Sequence, residues 1–282
     1  MKSLDKKVIL VMIDAQGFET AVLRAGFFEH LAESGLAAKY RVQCGLPSSS
    51  RPMYETILTG LPVHAHGIYS NQTVRRSRCE NLFSLTRAHG RSNAAAAYGW
   101  VSELYTDHAP FDLYADRMCL QGSGDIDHGI FYMEDTYPDS HLYADAEMLR
   151  LMYHPDFMLV HPMNVDDEGH KHTSASREYG HASEVSFDQL AILFDRWRGD
   201  GYDILITGDH GMDTLGMHGG NEAIQREVPL YIVSDRVQLG DFSDHCISNL
   251  NIAPLVCDLL AIPRGKGMLG RLEIQVREGA AE

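Results

Sequence analysis

No apolar run in this chain approaches the roughly eighteen residues that a membrane span requires. The first apolar stretch, Val8–Ile13, is also too short for the hydrophobic region of a signal peptide. Cysteine is scarce and unpatterned: Cys44, Cys79, Cys119, Cys246 and Cys257 are odd in number and show no CxxC spacing. That excludes a disulfide framework and a thiolate zinc knuckle, and most of the five read as small buried hydrophobes. A reduced, cytoplasmic setting is the expectation. Basic charge is short as well, 24 Lys and Arg against 39 Asp and Glu, for a net charge of −15. Such a chain is poorly equipped to grip a nucleic-acid polymer or an anionic membrane by charge. Internal repeats, low-complexity tracts and long linkers are missing too, so residues 1–282 read as a single α/β domain.

What is present suits a folded enzyme. Hydrophobic residues make up 44% and charged residues 22%, an ordinary globular composition. The acidic excess either keeps the protein soluble or surrounds bound divalent cations, whose charge reverses the local sign. Fifteen histidines are more than composition alone suggests, and histidine is the commonest metal ligand.

Val8–Ile13 has the continuous apolar, β-branched character of a strand buried on both faces. A helical pattern follows over 18–34 and stops at Gly35. After a loop from Cys44 to Ser50, a short helix runs to Thr59-Gly60. Further buried strands are predicted at Asp156–Val160, Asp203–Thr207 and Val228–Val233. Helices are predicted at 174–198 and at Ile247–Leu260. Alternating strands and helices imply a mostly parallel central sheet sandwiched by helices on both faces. The stretch from about 72 to 150 has weak periodicity and reads as a substrate-facing insertion.

Three of these strands run into acids or histidines at their C-terminal ends, where parallel sheets bind ligands. They are Asp14, the run Asp166 to His170, and Gly208-Asp209-His210-Gly211. Singly each has a plainer reading: an N-cap, a surface helix pair, a turn. Together they would repel unless a cation lay between them. Carboxylate and imidazole sets without thiolates suit zinc or manganese, and iron less simply. The loop Pro47-Ser48-Ser49-Ser50-Arg51-Pro52 places Ser50 near a helix N-terminus, since proline favours the first turn. Free N–H groups there can hold a phosphoryl oxygen. Ser50 reads equally as a cap and as a nucleophile, and one residue can be both.

The ordered set Asp14, Ser50-Arg51-Pro52, Thr59-Gly60, His66-Gly67-Ile68, Asp166–His170, Asp209-His210-Gly211-Met212 and His218-Gly219 resembles the alkaline phosphatase superfamily, most closely its nucleotide pyrophosphatase/phosphodiesterase branch. The resemblance implies an alkaline phosphatase-like fold and two divalent metal ions, with zinc preferred. One ion would be held by Asp14, Asp209 and His210 with Ser50, the other by Asp166, His170 and His218. It also implies a phosphoserine mechanism on Ser50, with Asn71 binding a phosphoryl oxygen and a small phosphorylated substrate as partner. Asp167 and His245 are the displaced rivals of Asp166 and His218. His64 and His66 are assigned to structure, and Asp125, Asp127 and His128 to a solvated loop. Arg51 departs from the branch, where an aromatic or apolar residue is usual, and is expected to face a second anionic group on the substrate. Tyr54 stands where a sulfatase needs arginine, which argues against that activity. A phosphonoacetate hydrolase-like reaction and an inactive phospho-ligand binder are the alternatives. A homo-oligomer is compatible with all of these readings.

Overall fold

The computed structural model describes residues 6–277. Nine strands form one sheet: β1 (Lys7–Ile13), β2 (Ala38–Gln43), β3 (Asn93–Tyr98), β4 (Met118–Cys119), β5 (His128–Tyr132), β6 (Phe157–Val160), β7 (Tyr202–Gly208), β8 (Glu227–Val233) and β9 (Gly240–Ser248). Their order is β4-β5-β3-β6-β1-β7-β8-β2-β9. The central run β5-β3-β6-β1-β7 is parallel throughout. β8 is inserted antiparallel between β7 and β2, and β4 pairs antiparallel with β5 at one edge.

β1 is central because both of its faces are apolar. Val8, Leu10 and Met12 point into one core layer, with Met53, Ile57 and Leu58 of the helix Ser50–Thr59 and Leu255 and Leu259 of the helix Ile252–Leu260. Ile9, Val11 and Ile13 point into the other, against Leu142 and Leu149 of the helix Asp139–Tyr153 and Phe187, Leu190 and Trp197 of the helix Arg177–Gly199. The alternation of a strand thus feeds two helical layers. Among the described residues no helix is long and apolar enough to cross a membrane.

The four predicted strands agree with β1, β6, β7 and β8 to within one residue at either end. Three other expectations are corrected. The helix over 18–34 is two helices, Phe18–Arg24 and Gly26–Glu33, turned at Ala25 so that Ala21, Phe28 and Leu31 all reach the sheet. Gly35 does follow the second with φ of 67°, the left-handed geometry that ends a helix. The segment Ile247–Leu260 opens as the end of β9. Ser248 then caps a short turn, its Oγ accepting from Leu250 N–H, and the helix begins only at Ile252. Finally, the stretch 72–150 is not an added wall: it supplies β3, β4 and β5, and β3 lies inside the sheet between β5 and β6.

Candidate metal and phosphoryl-transfer site

The C-terminal edge of the parallel strands carries the site. Asp14 follows β1, and Asp209 and His210 follow β7, the neighbouring strand. The chain turns sharply after His210: a Cβ on Gly211 would lie 2.1 Å from the carbonyl oxygen of Ile224, so only glycine fits. Asp209 Oδ1 accepts from the N–H groups of Ala15 and His210 at 3.0 and 2.9 Å, which leaves Oδ2 free to face His210 Nε2 at 3.4 Å. His210 Nε2 is also 3.3 Å from Asp14 Oδ1 and 3.1 Å from Ser50 Oγ. Asp14, Asp209 and His210 are wholly buried.

A second group lies alongside. Asp166 and His170 are four residues apart on the helix Asn164–His172 and therefore share a face. His170 Nε2 is 3.4 Å from Asp166 Oδ2, and His218 Nε2 is 3.8 Å from Oδ1. Asp167 turns to Lys171 instead, at 2.5 Å. The two groups, Asp14-Asp209-His210 and Asp166-His170-His218, each bring their ligand atoms within 4.8 Å of one another.

These donor sets fit divalent cations. Each histidine directs Nδ1 at a backbone carbonyl: His170 at Gly216, His210 at Gly211 and His218 at Ser48. A proton held on Nδ1 leaves the Nε2 lone pair facing the carboxylates, the usual arrangement of metal-ligating histidines. Asp209 Oδ2 and Asp166 Oδ1 are buried and lack hydrogen-bond partners among the described residues. Burial, with Asp14 nearby, pushes Asp209 up to about 6 and Asp166 well above the carboxylate range. Burial also works on Asp14, but contacts with His161 and His210 hold its carboxyl below the usual range. His210 overcomes its own burial through Asp209 and Asp14 and rises to about 10. A buried crowd of carboxylates is a site that a doubly charged ion would relieve.

Ser50 is the first residue of the helix Ser50–Thr59, which follows Ser49 in extended backbone. The Arg51 N–H points at Asn71 Oδ1 at 3.1 Å, so Asn71 stands beside the helix N-terminus. The Arg51 side chain, expected to face a second anionic group on the substrate, instead faces the protein interior. It is buried, pairs with Glu103 at 2.6 Å, donates to the Thr73 carbonyl and lies 4.7 Å over the Trp100 ring. A buried guanidinium needs a partner, and Glu103 supplies it from a helix 52 positions along the chain. His66 is structural, bonded to Thr56 and Ile68, and His245 is exposed on β9. Asp125 and Asp127 are not a free loop, being tied to Arg76, Asn81 and Asn93.

Three neighbours were not anticipated. Tyr54 donates its hydroxyl to Asp14 Oδ2 at 2.5 Å, and His161 Nε2 is 3.3 Å from the same oxygen. His161 directly follows β6, so the strand-end rule that selected Asp14 and Asp209 also reaches it. Tyr54 is detectable only as the position one helical turn after Ser50. Asp213 is a third such residue: its carboxylate accepts from Leu215, Met217 and Gln225 and shapes the turn that presents Gly216 and His218.

Residues 8–238 match the family described as type I phosphodiesterase / nucleotide pyrophosphatase. The catalytic subunit of human GPI ethanolamine phosphate transferase 3 is 25% identical over 252 residues, covering 87% of this chain and 22% of that protein. The chain spans about a third or less of the length of the curated relatives it matches. In structure it is similar to murine ectonucleotide pyrophosphatase/phosphodiesterase 5, with a TM-score of 0.71 at 11% identity, covering 92% of this chain and 96% of that one. The alkaline phosphatase PafA gives a TM-score of 0.67 at 10% identity, covering 95% and 98%. At these identities the likeness is one of fold.

Proposed function

The chain belongs to the type I phosphodiesterase/nucleotide pyrophosphatase family, and from that premise we propose that it is a two-metal phosphoesterase acting through a phosphoserine on Ser50. The observation that carries this reading is the placing of Ser50 Oγ, 3.1 Å from His210 Nε2 and 3.5 Å from Asp14 Oδ1, at a helix N-terminus. Divalent cations, zinc by preference, held by Asp14, Asp209 and His210 with Ser50 and by Asp166, His170 and His218 would lower the serine pKa and neutralise charge on the transferred group.

The residues do the rest. Ser50 Oγ attacks phosphorus and the leaving oxygen departs opposite, so that one P–O bond forms as another breaks. The Asn71 side-chain NH2, oriented by the Arg51 N–H that its Oδ1 accepts, then holds a non-bridging oxygen, with the helix N-terminus favouring its charge. Each such donor typically contributes about 3 kcal/mol to the transition state. A second displacement frees Ser50. Its acceptor is water in a hydrolase and an alcohol in a transferase, and the similarity to a GPI ethanolamine phosphate transferase supports testing the second as well.

The test is turnover of bis-p-nitrophenyl phosphate, p-nitrophenyl phosphate and phosphonoacetate after chelation, with zinc or manganese restored. Metal-dependent turnover of the diester above the others is expected. A new phosphoester formed when ethanolamine or glycerol is present would favour transfer. Phosphonoacetate cleavage alone, or silence on all three with two metals bound, would overturn the phosphoesterase reading.

A further inference from the structure

Asp14 is gripped on both oxygens from a single helix face. Ser50 and Tyr54 lie one turn apart on the helix Ser50–Thr59, so their side chains project together. Ser50 Oγ is 3.5 Å from Asp14 Oδ1, and the Tyr54 hydroxyl donates to Oδ2 at 2.5 Å. From the other side His161 brings Nε2 to 3.3 Å from Oδ2, with its ring edge-on to Tyr54 at 4.5 Å. Tyr54, His161 and Asp14 are all completely buried.

Packing alone does not account for these residue types. Phenylalanine at 54 and leucine at 161 would fill the core without polar atoms. Instead both ring nitrogens of His161 are buried without a well-directed hydrogen bond to protein. An unmade hydrogen bond of this kind in the core is destabilising. Among the described residues, the charged group paired with that ring is Asp14.

The geometry points to Tyr54 and His161 as positioning residues that hold the outer oxygen of Asp14, so that this carboxylate offers only Oδ1 to the Ser50–His210 side. A carboxylate can engage a cation through one oxygen or two. Holding Oδ2 with a phenol donor selects one, and leaves room at the ion for Ser50. The inference rests on the proposed assignment of Asp14, Asp209 and His210 to one divalent ion. Neither residue touches substrate; both act through Asp14.

The experiment titrates zinc into the metal-stripped full chain by calorimetry, for wild type, Tyr54→Phe, His161→Gln and His161→Leu. Wild type is expected to bind two ions. Tyr54→Phe and His161→Leu should weaken one site 10- to 100-fold, the effect usual for residues that orient a ligand. The affected site should be the one that Asp209→Asn removes, with the other changed less than about threefold. His161→Gln, which keeps a donor, should recover much of the loss. Melting of the metal-free Tyr54→Phe protein should stay within a few degrees of wild type. Unchanged zinc affinity in Tyr54→Phe and His161→Leu would overturn the inference. So would equal weakening of both sites with a large fall in metal-free melting temperature, the signature of mere packing. Wild type that binds no zinc would remove the underlying assignment and the inference with it. A selective loss of one site in a protein inert on every phosphoester would uphold the inference while the catalytic reading failed.

Discussion

The imidazole rings of His210 and His218 lie face to face, their centroids 3.9 Å apart and their planes 19° apart. One belongs to the group around Asp14 and the other to the group around Asp166, so the stack joins the two into one site. Two imidazolium ions would repel in this arrangement. Burial first, and then the charge of His210, drive His218 down to about 3, so His218 is neutral at any working pH and keeps a lone pair on Nε2. The neutral ring is the form that ligates a metal.

Ser50→Ala should lower turnover at least about a thousandfold, because the covalent step is lost while oxyanion donors remain. Zinc content should stay close to two per chain, since three protein ligands persist in each group. Metal analysis alongside kinetics checks both. Residual turnover near the wild-type rate would move the nucleophile to Ser48 or Ser49.

Asp209→Asn should remove one of the two ions, because Oδ2 is the oxygen that faces His210 and has no hydrogen-bond partner among the described residues. Zinc should also raise the melting temperature of wild type, by about 2.7 kcal/mol of stability at a hundredfold excess over the dissociation constant. The variant should show a smaller rise. Scanning calorimetry with and without chelator measures it, and an equal rise in both proteins would contradict the assignment.

Arg51→Ala should act on stability rather than on substrate choice. It strands Glu103 in the core, at a typical cost of about 3–5 kcal/mol. The double substitution Arg51→Met with Glu103→Leu should recover most of that, because it removes both charges. Urea unfolding reads the difference. A stable Arg51→Ala protein that fails selectively on substrates with a second anionic group would return Arg51 to the substrate side.

Asp139 supplies a pH signature away from the ligand groups. Burial pushes its carboxyl up to about 7, although the N–H groups of Met163 and Asn164 donate to it. The folded state therefore holds this proton to higher pH than the unfolded chain does. Stability attached to the group falls as pH rises from about 4 to about 7, by at most a few kcal/mol. The melting temperature of Asp139→Asn relative to wild type should accordingly climb between pH 5 and pH 7.5 and level off above. A difference that is flat or falls over that range would contradict it.

The sequence was most legible where burial on both faces forces a simple pattern. β1, β6, β7 and β8 are near-continuous apolar runs, and the acids at their ends stood out against them. β3 was hidden because Asn93–Tyr98 is mostly alanine, a residue of low strand preference that is tolerated between β5 and β6 because both neighbours crowd it. β9 was hidden for the opposite reason: an exposed edge strand of polar residues carries no apolar signal. Asp166 and His170 stand one helical turn apart in the sequence, but it was the family resemblance that set Asp166 ahead of Asp167. The roles of Arg51, Tyr54 and His161 were not legible there, although the strand-end rule reaches the position of His161, since they depend on Glu103 and Asp14, partners brought near only by the fold.

The most direct measurement is acid-quenched turnover of bis-p-nitrophenyl phosphate followed by peptide mass mapping. The account predicts a p-nitrophenylphosphoryl group on Ser50, present in the zinc-loaded protein and lost after chelation. Modification at Ser48 or Ser49, or sustained turnover during which Ser50 is never labelled, would contradict it.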